Sequence, residues 1–234
     1  ITGYTGFLGR ALLQEIVKTK LEPVLIGRSN PTQGSHNFVN FSVRSDPSKI
    51  ALKGIDVLIH CAGLAHQKKG KKSNQCDDQK YWEANVLYTE KIMQVAVNCN
   101  IKKVIFVSTI KVSCSNSCDD VIDKATENFT DDDIYAKTKF QAENVIKDYA
   151  ERNSIEYVIF RPCVMYGDGH KGNLKRFENI FSANKIVALP LNKCLNKRTF
   201  LSVTDFSKLL INACVTKTVS GVYLVSDDTA FSTF

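Results

Sequence analysis

Apolar runs alternate with amphipathic stretches along the whole chain. The first predicted helix carries one apolar stripe at helical spacing, formed by Leu8, Leu12, Leu13, Ile16 and Val17. Further helices are predicted over residues 81–98, 134–153 and 204–215. Val- and Ile-rich runs with few polar interruptions are typical of strands buried on both faces. They predict strands at residues 23–26, 37–43, 56–61, 103–108, 157–161 and 221–225.

This alternation predicts the fold class: an α/β protein with a doubly wound parallel sheet and helices on both faces. Beyond residue 166 the alternation weakens and a basic stretch begins. We therefore expect residues 1–166 to form a nucleotide-binding type of sheet domain. Residues 167–234 are expected to form mainly a small substrate-binding lobe, with a returning strand and helix. Both chain ends lie in or beside predicted strands, so we expect further sequence at each end.

The composition excludes a disordered chain, a collagen and a small disulfide-stabilised protein. Hydrophobic residues at 44% and charged residues at 24% are typical of an ordinary globular chain. No apolar run approaches the roughly 18 residues of a membrane span. The eight cysteines show no paired metal-ligand spacing, and Cys114 with Cys118 is the nearest approach. We expect reduced thiols, no metal site and a cytoplasmic protein.

Three glycines at intervals of three, Gly3, Gly6 and Gly9, join a strand end to the first helix. In that order, backbone N–H groups can approach a phosphate at the positive end of the helix dipole. A tight turn with close helix packing would explain any one glycine alone. The strand–turn–helix order predicts a dinucleotide site here. Its residues are Gly3, Thr5, Gly6, Phe7 and Leu8.

The second strand ends in Gly27-Arg28 instead of an acid that would hold the adenosine ribose. A small residue followed by Arg makes room for a 2′-phosphate and supplies a bidentate cation for it. Arg28 therefore favours NADP over NAD, and a solvent-facing arginine is the alternative.

A candidate catalytic pair lies on one helix face, where Tyr135 and Lys139 are four residues apart. The positive charge is expected to lower the pKa of the phenol, so that Tyr135 can exchange a proton near neutral pH. Such a pair is common on protein surfaces. The pair becomes significant because Thr109 ends a buried strand. Its hydroxyl can meet the substrate oxygen with which Tyr135 would exchange a proton.

Several motifs in one order resemble the extended short-chain dehydrogenase/reductase family, in its nucleotide-sugar epimerase/dehydratase branch. The resemblance covers essentially the whole chain and implies a Rossmann fold that binds NAD or NADP. Two positions depart from the family pattern and concern adenine contacts and helix packing: residues 41–43 lack the Asp that contacts adenine, and Tyr88 replaces the Gly before Thr89. The matching segments are residues 2–9, 56–63, Asn85-Val86 with Thr89, 108–112, the Tyr135/Lys139 pair, Arg161-Pro162, Tyr166-Gly167, 171–173, and Arg198 with 203–205.

The resemblance also implies residue roles. Tyr135 would be the acid/base, Thr109 would hydrogen-bond the reacting oxygen, and Lys139 would hold the nicotinamide ribose. Asn173 and Arg198 would bind the substrate's diphosphate. Lys111 can touch the sugar or a phosphate, or be a plain surface lysine. The other cofactor contacts implied are Arg28, Ala62, Gly63, Asn85 and Pro162.

The resemblance implies several possible reactions, and the residues after Thr109 exclude some of them. Dehydratases of this kind carry an Asp-Glu pair there, decarboxylating relatives need a Glu in the region, and 3,5-epimerising reductases have a Cys beside the hydroxyl residue. Here Ile110 and Lys111 follow. Chemistry at C4 of a UDP-hexose remains, as 4-epimerisation or as NADPH-dependent reduction of a 4-keto sugar. Residues 108–112 look closest to bacterial enzymes of polysaccharide precursor synthesis that act on UDP-N-acetylated hexoses. A non-catalytic NADP-sensing protein on the same fold is a third possibility.

The net charge of +7 is concentrated between residues 171 and 198. A diphosphate ligand explains this charge, whereas neither an aromatic ladder nor a recognition helix supports nucleic-acid binding. The resemblance suggests a homodimer built through helices 81–98 and 134–153. His60 and His66 flank the loop that follows the predicted strand at residues 56–61, and for His66 a solvent-facing side chain is expected rather than an approach to the substrate.

Overall fold

The computed structural model describes residues 1–29, 37–65, 75–114, 122, 124–169, 197–217 and 219–232. Its helices are α1 (Phe7–Ile16), α2 (Gln75–Tyr81), α3 (Tyr88–Asn98), α4 (Ile134–Asn153) and α5 (Val203–Val215). The strands are β1 (Val24–Gly27), β2 (Asn37–Asn40), β3 (Val57–His60), β4 (Lys103–Val107), β5 (Glu156–Pro162), β6 (Val164–Tyr166), β7 (Lys197–Ser202), β8 (Gly221–Val225) and β9 (Ala230–Ser232). Short 3-10 turns lie at Pro47–Lys49 and Ile110–Val112.

The central sheet is parallel and runs in the order β2-β1-Thr2-β3-β4-β5-β8. Thr2 forms bridges with Ile26 on one side and His60 on the other, so the residue before the glycine turn lies between β1 and β3. The chain moves outward through β1 and β2 and then returns to the other side of Thr2. This reversal is the switch point at which doubly wound sheets bind ligands. The predicted fold class is confirmed.

The sheet is covered on both faces because successive residues in each strand point to opposite sides. Leu25, Ile59 and Val158 face a core shared with α1 and α5. Their neighbours, such as Ile26 and Ile159, face a second core, which is shared with α3 and α4. This burial on both faces explains why the strands are continuous apolar runs in the sequence.

The helix predicted over residues 81–98 is more complex in the structure. α2 ends at Tyr81, a π-helical segment occupies Trp82–Leu87, and α3 follows without a break. Asn85 lies inside the π-helical segment, and such segments frequently occur at functional sites. The uniform helical spacing of apolar residues did not reveal this change of hydrogen-bond pattern.

A second sheet of three short strands, in the order β6-β7-β9, was not predicted. β6 pairs with β7 in parallel, and β7 pairs with β9 antiparallel. Gly167 follows β6 with φ +143°, and a Cβ there would lie 2.5 Å from Val203 Cγ1. Glycine is therefore required where this sheet approaches the start of α5.

Among the described residues, no helix is long and apolar enough to cross a membrane. The same part of the chain holds no group of three or more His, Cys, Asp or Glu side chains that could bind a metal ion. Cys118 and Cys194 lie outside the described residues. Five cysteines with described side chains are free thiols, namely Cys61, Cys99, Cys114, Cys163 and Cys214.

Candidate active site

The glycine turn packs against the loop that follows β3. Gly3 has φ +70°, and a Cβ there would lie 2.5 Å from the backbone nitrogen of Ala62. A Cβ on Gly9 would collide with the carbonyl oxygen of Gly3. The Gly6 N–H donates to that same oxygen at 3.0 Å. Close backbone approach therefore requires glycine at positions 3 and 9.

The start of α1 presents backbone N–H groups beside this turn. Amides in the first turn of a helix have no partner within the helix. Gly6 is the N-cap without a side-chain cap from the described residues, and the first turn has no acidic residue. Thr5 and Gly6 are exposed, Phe7 is half-buried and Leu8 is buried. The turn therefore fits the diphosphate of a dinucleotide, which the helix dipole would also favour.

Thr109 and Tyr135 meet at the carboxyl edge of the sheet. Thr109 follows β4 and caps the 3-10 turn Ile110–Val112, where its Oγ accepts the Lys111 N–H at 3.4 Å. Tyr135 lies in the first turn of α4, which Asp133 caps through the Ala136 N–H at 3.1 Å. A side-chain hydrogen bond joins the hydroxyls of Thr109 and Tyr135. The structure thus brings together two residues that the sequence placed on separate elements.

The predicted direction of the Tyr135 pKa is wrong. Burial raises the pKa of Tyr135 to about 12, and Asp133 and Tyr81 add to the increase, while the Thr109 hydrogen bond opposes it. Helical spacing placed Lys139 one turn away but did not reveal where its ammonium points. Burial of the phenol is the largest contribution to its pKa.

Lys139 is directed into the protein. It is 4% exposed, its Nζ donates to the Val107 carbonyl at 2.6 Å, and it stands 4.0 Å from the centroid of the Phe106 ring. Burial lowers its pKa to about 7, although Glu143 opposes this decrease. A Cβ on Gly63 would lie 3.7 Å from Nζ, so the ammonium also reaches the loop after β3.

Asn85 fixes the loop that contains Ala62 and Gly63. Its Oδ1 accepts the Leu64 N–H at 2.7 Å, and its Nδ2 donates to the Leu64 carbonyl at 3.2 Å. Nδ2 also donates to the Thr138 hydroxyl at 3.0 Å. Both amide hydrogens are used inside the protein. Asn85 therefore ties the loop to α4.

Lys111 lies beside Tyr135. Its Nζ is 2.6 Å from Asp133 Oδ2 and 6.0 Å from the centroid of the Tyr135 ring, with half of the side chain exposed. Burial would raise the pKa of Asp133, but hydrogen bonds from Lys111 and the Ala136 N–H outweigh it and lower this pKa. The position of Lys111 is compatible with a substrate contact.

The remaining predicted residues lie farther apart. Arg28 is exposed after β1, Pro162 is buried at the end of β5, and Arg198 is exposed on β7. Burial raises the pKa of the Tyr88 phenol to about 12, Tyr4 adds to the increase, and the Arg28 charge opposes it. Asn173 lies outside the described residues. So do His66 and most of the basic stretch.

Sequence reasoning missed a buried hydrogen-bonded chain under the site. His60 is fully buried, and its ring lies between two threonine hydroxyls. Its Nδ1 is 2.6 Å from Thr2 Oγ1 and its Nε2 is 2.9 Å from Thr89 Oγ1. Thr89 donates to the Asn85 carbonyl at 2.6 Å, which assigns the ring proton to Nε2. Burial lowers the pKa of His60 to about 3.

Comparison with known proteins places this geometry in context. A family model described as the NAD dependent epimerase/dehydratase family matches residues 1–225. The UDP-glucose 4-epimerase of Vibrio cholerae is 29% identical over 240 residues, covering 100% of this chain and 71% of that protein.

Two solved structures share the fold of the chain. The UDP-glucuronic acid 4-epimerase of Bacillus cereus in complex with NAD superposes with a TM-score of 0.80 at 22% identity. The UDP-N-acetylglucosamine 4-epimerase of Bacillus cereus superposes with a TM-score of 0.78 at 20% identity. Each covers 99% of this chain and is itself covered over 78% of its length.

Proposed function

This chain belongs to the NAD dependent epimerase/dehydratase family, and from that premise we propose that it is a nucleotide-sugar 4-epimerase that acts at C4 of a UDP-hexose. The observation that carries the proposal is the hydrogen bond between the Thr109 and Tyr135 hydroxyls, with Lys139 of the same helix reaching the loop that packs on the glycine turn. A fold by itself does not define a reaction. A hydrogen-bonded hydroxyl pair next to a buried lysine and a phosphate-binding turn supports one.

The residues present suit a dinucleotide cofactor. The amides at the start of α1 would bind the diphosphate of the cofactor. The loop of Ala62 and Gly63 would contact the bound cofactor, and Lys139 would hold the nicotinamide ribose. The chemistry that NAD supplies when bound is acceptance of a hydride from the sugar and its return.

Tyr135 moves the proton of the C4 hydroxyl in this proposal. Its raised pKa keeps the phenol protonated at neutral pH, which is the form that donates a proton to a carbonyl oxygen. The opposite step needs the phenolate. The Lys111 ammonium, 6.0 Å from the centroid of the ring, is placed to stabilise it. Thr109, already bonded to the phenol, would hold the same sugar oxygen.

C4 chemistry is supported by the residues beside Thr109. The Ile110 side chain can act neither as acid nor as base, and Lys111 is engaged with Asp133 at 2.6 Å. Elimination of water or carbon dioxide needs additional acid–base groups at this place, as the family resemblance implies. Inversion at one carbinol needs only the groups that are present.

A 4-keto-sugar reductase is the second candidate, and exposed Arg28 favours it. A reductase exchanges NADPH at every turnover, whereas an epimerase regenerates its NAD. Denaturing the purified protein and identifying any released dinucleotide by mass distinguishes them. Retained NAD supports the epimerase, and an empty protein that prefers NADPH supports the reductase.

Substrate binding is proposed for the second sheet and the residues around it, so that residues 1–166 bind the cofactor and 167–234 mainly bind the nucleotide sugar. Arg198, exposed on β7, would contact the UDP diphosphate, with Asn173 as its proposed partner.

A homodimer through α3 and α4 is also proposed. Light scattering of the purified protein tests the dimer.

The experiment for the main proposal incubates the enzyme with UDP-glucose, UDP-N-acetylglucosamine or UDP-glucuronic acid and follows inversion at C4 by NMR. We expect Tyr135→Phe to lower kcat by about 10²- to 10⁴-fold, because proton transfer is lost. Tyr149→Phe removes a phenol near the other end of α4 and should leave kcat unchanged. Full turnover by Tyr135→Phe would refute the proposal. If the wild type inverts C4 of none of these UDP-hexoses, the reductase or a non-catalytic protein is favoured.

A further inference from the structure

A buried ionic cluster lies behind Thr109. We call it the Arg161 cluster, formed by Arg161, Glu143 and Ser108. The Arg161 and Glu143 side chains are both 0% exposed. Nε of Arg161 donates to Glu143 Oε1 at 2.9 Å, and Nη2 donates to Oε2 at 2.6 Å. The Ser108 hydroxyl donates to the same Oε1. This is a bidentate, charge-assisted pair with a third donor.

Arg161 also holds the chain that follows the Thr109 turn. Nη1 donates to Ser113 Oγ at 2.8 Å and to the carbonyls of Ala125 and Thr126 at 3.0 and 2.9 Å. One guanidinium therefore contacts a helix, the end of the 3-10 turn and the loop before α4. Nε, Nη1 and Nη2 all donate to these acceptors, and Nη2 also lies 3.6 Å from Glu127 Oε1, so the geometry admits little freedom.

Thr109 lies between the two anchors of this cluster. Ser108, which bonds Glu143, is the residue before it, and Ser113, which bonds Arg161, comes directly after the 3-10 turn that Thr109 caps. Glu143 is on α4, the helix that carries Tyr135 and Lys139. The cluster thus links the turn of Thr109 to the helix of Tyr135 at both ends of the turn.

We propose that the Arg161 cluster is the positioning device that holds the Thr109 hydroxyl within reach of the Tyr135 hydroxyl. Arg161, Glu143 and Ser108 are positioning residues, since they act through Thr109. The proposal rests on the proposed function and adds to it the residues that set the geometry of its site. A buried ion pair is a weak source of net stability, because its desolvation offsets its attraction. The hydrogen bonds that the pair makes to Ser108, Ser113 and the loop before α4 give it a geometric role.

Ser108→Ala and Ser113→Ala test the proposal with little disturbance of the ion pair. Each removes one anchor hydroxyl, and a displacement of about 1 Å at a reacting group costs up to about 10²-fold in rate. We expect kcat to fall at least about tenfold in each variant while KM and the Kd for NAD stay within about twofold. The matched control is Ser207→Ala, which removes an equally buried hydroxyl bonded to the Val203 carbonyl at 2.7 Å on α5.

Hydrogen–deuterium exchange gives a readout that does not depend on turnover. Peptides covering residues 108–114 and 124–129 should exchange faster in Ser108→Ala and Ser113→Ala than in the wild type, and Ser207→Ala should leave them unchanged. Unchanged exchange in both anchor variants overturns the proposal, even if the wild type proves to catalyse another reaction. Absence of C4 inversion in the wild type overturns only the proposed function.

A double variant separates positioning from stability. Glu143→Leu with Arg161→Met replaces the pair by apolar side chains, an exchange that is often neutral for stability. We expect a folded protein with a Tm close to that of the wild type, faster exchange at residues 108–114 and a kcat at least about tenfold lower. A folded double variant with wild-type kcat would overturn the proposal. If the double variant does not fold, the two serine variants decide.

Discussion

Replacement of Lys139 by methionine should stabilise the folded protein at low pH while it abolishes turnover. Burial lowers the pKa of Lys139 from 10.5 to about 7. Below pH 7 the folded and unfolded chains both hold the proton, and the full cost of the buried charge applies. Between pH 7 and 10.5 the unfolded chain binds more protons than the folded one. The free energy of unfolding therefore rises with pH across this window.

The magnitude follows from the lowered pKa. A decrease from 10.5 to about 7 corresponds to about 5 kcal/mol below pH 7. Between pH 6.5 and 9.5 the increase in stability due to Lys139 is about 3 kcal/mol. The methionine variant lacks this increase. It also loses the hydrogen bond to Val107 and the contact with the Phe106 ring, which together contribute about 2 kcal/mol.

The assay is urea unfolding at pH 6.5 and 9.5, followed by the fluorescence of Trp82, the single tryptophan. Wild type, Lys139→Met and Lys137→Met are compared, because other titrating groups cancel in the differences. Lys137 is on the same helix with its ammonium 3.2 Å from Asp131, and 43% of its side chain is exposed. Its replacement should shift stability by less than about 1 kcal/mol at both pH values. An identical pH dependence in wild type and Lys139→Met would refute the reasoning.

Three further predictions concern the turn, the buried histidine and the cofactor. Gly3→Ala should lower the affinity for NAD more than tenfold, as measured by calorimetry, because the added Cβ would lie 2.5 Å from the backbone nitrogen of Ala62. Gly54→Ala is the control, since Gly54 has a similar φ of +72° and open space around it. His60→Gln should make the protein less acid-sensitive. With the folded pKa lowered to about 3, wild type loses about 2 kcal/mol as pH falls from 6.5 to 5, measured by urea unfolding. Arg28→Glu should weaken NADPH binding and leave NADH binding within about threefold, measured by fluorescence titration; equal losses would contradict a 2′-phosphate contact.

The regular elements were predictable where burial leaves a strong pattern in the sequence. The limits of α4, 134 and 153, were predicted to the residue, and so were those of β8, 221 and 225. A long amphipathic helix produces a periodic pattern over several turns, and a strand buried on both faces produces a continuous apolar run. The strands of the second sheet did not, because β6 and β9 have three residues each and their pairing partners are distant in sequence.

The candidate site was predictable in its residue types and less so in its electrostatics. The order of Thr109, Tyr135 and Lys139 along the chain indicated one site, and the structure joins the hydroxyls of the first two. Spacing alone could not show that the ammonium of Lys139 bonds the Val107 carbonyl. Nor could it show that Glu143, one charge among many on an amphipathic helix, is fully buried.

The most direct test of the account uses a UDP-hexose that carries deuterium at C4, together with the wild-type enzyme and Tyr135→Phe. If C4 is oxidised and reduced again on the same face of the cofactor, the 4-epimer formed by the wild type keeps the deuterium at C4, and Tyr135→Phe forms almost no epimer. Release of the deuterium to water, or inversion at wild-type rate by Tyr135→Phe, would contradict the central claim.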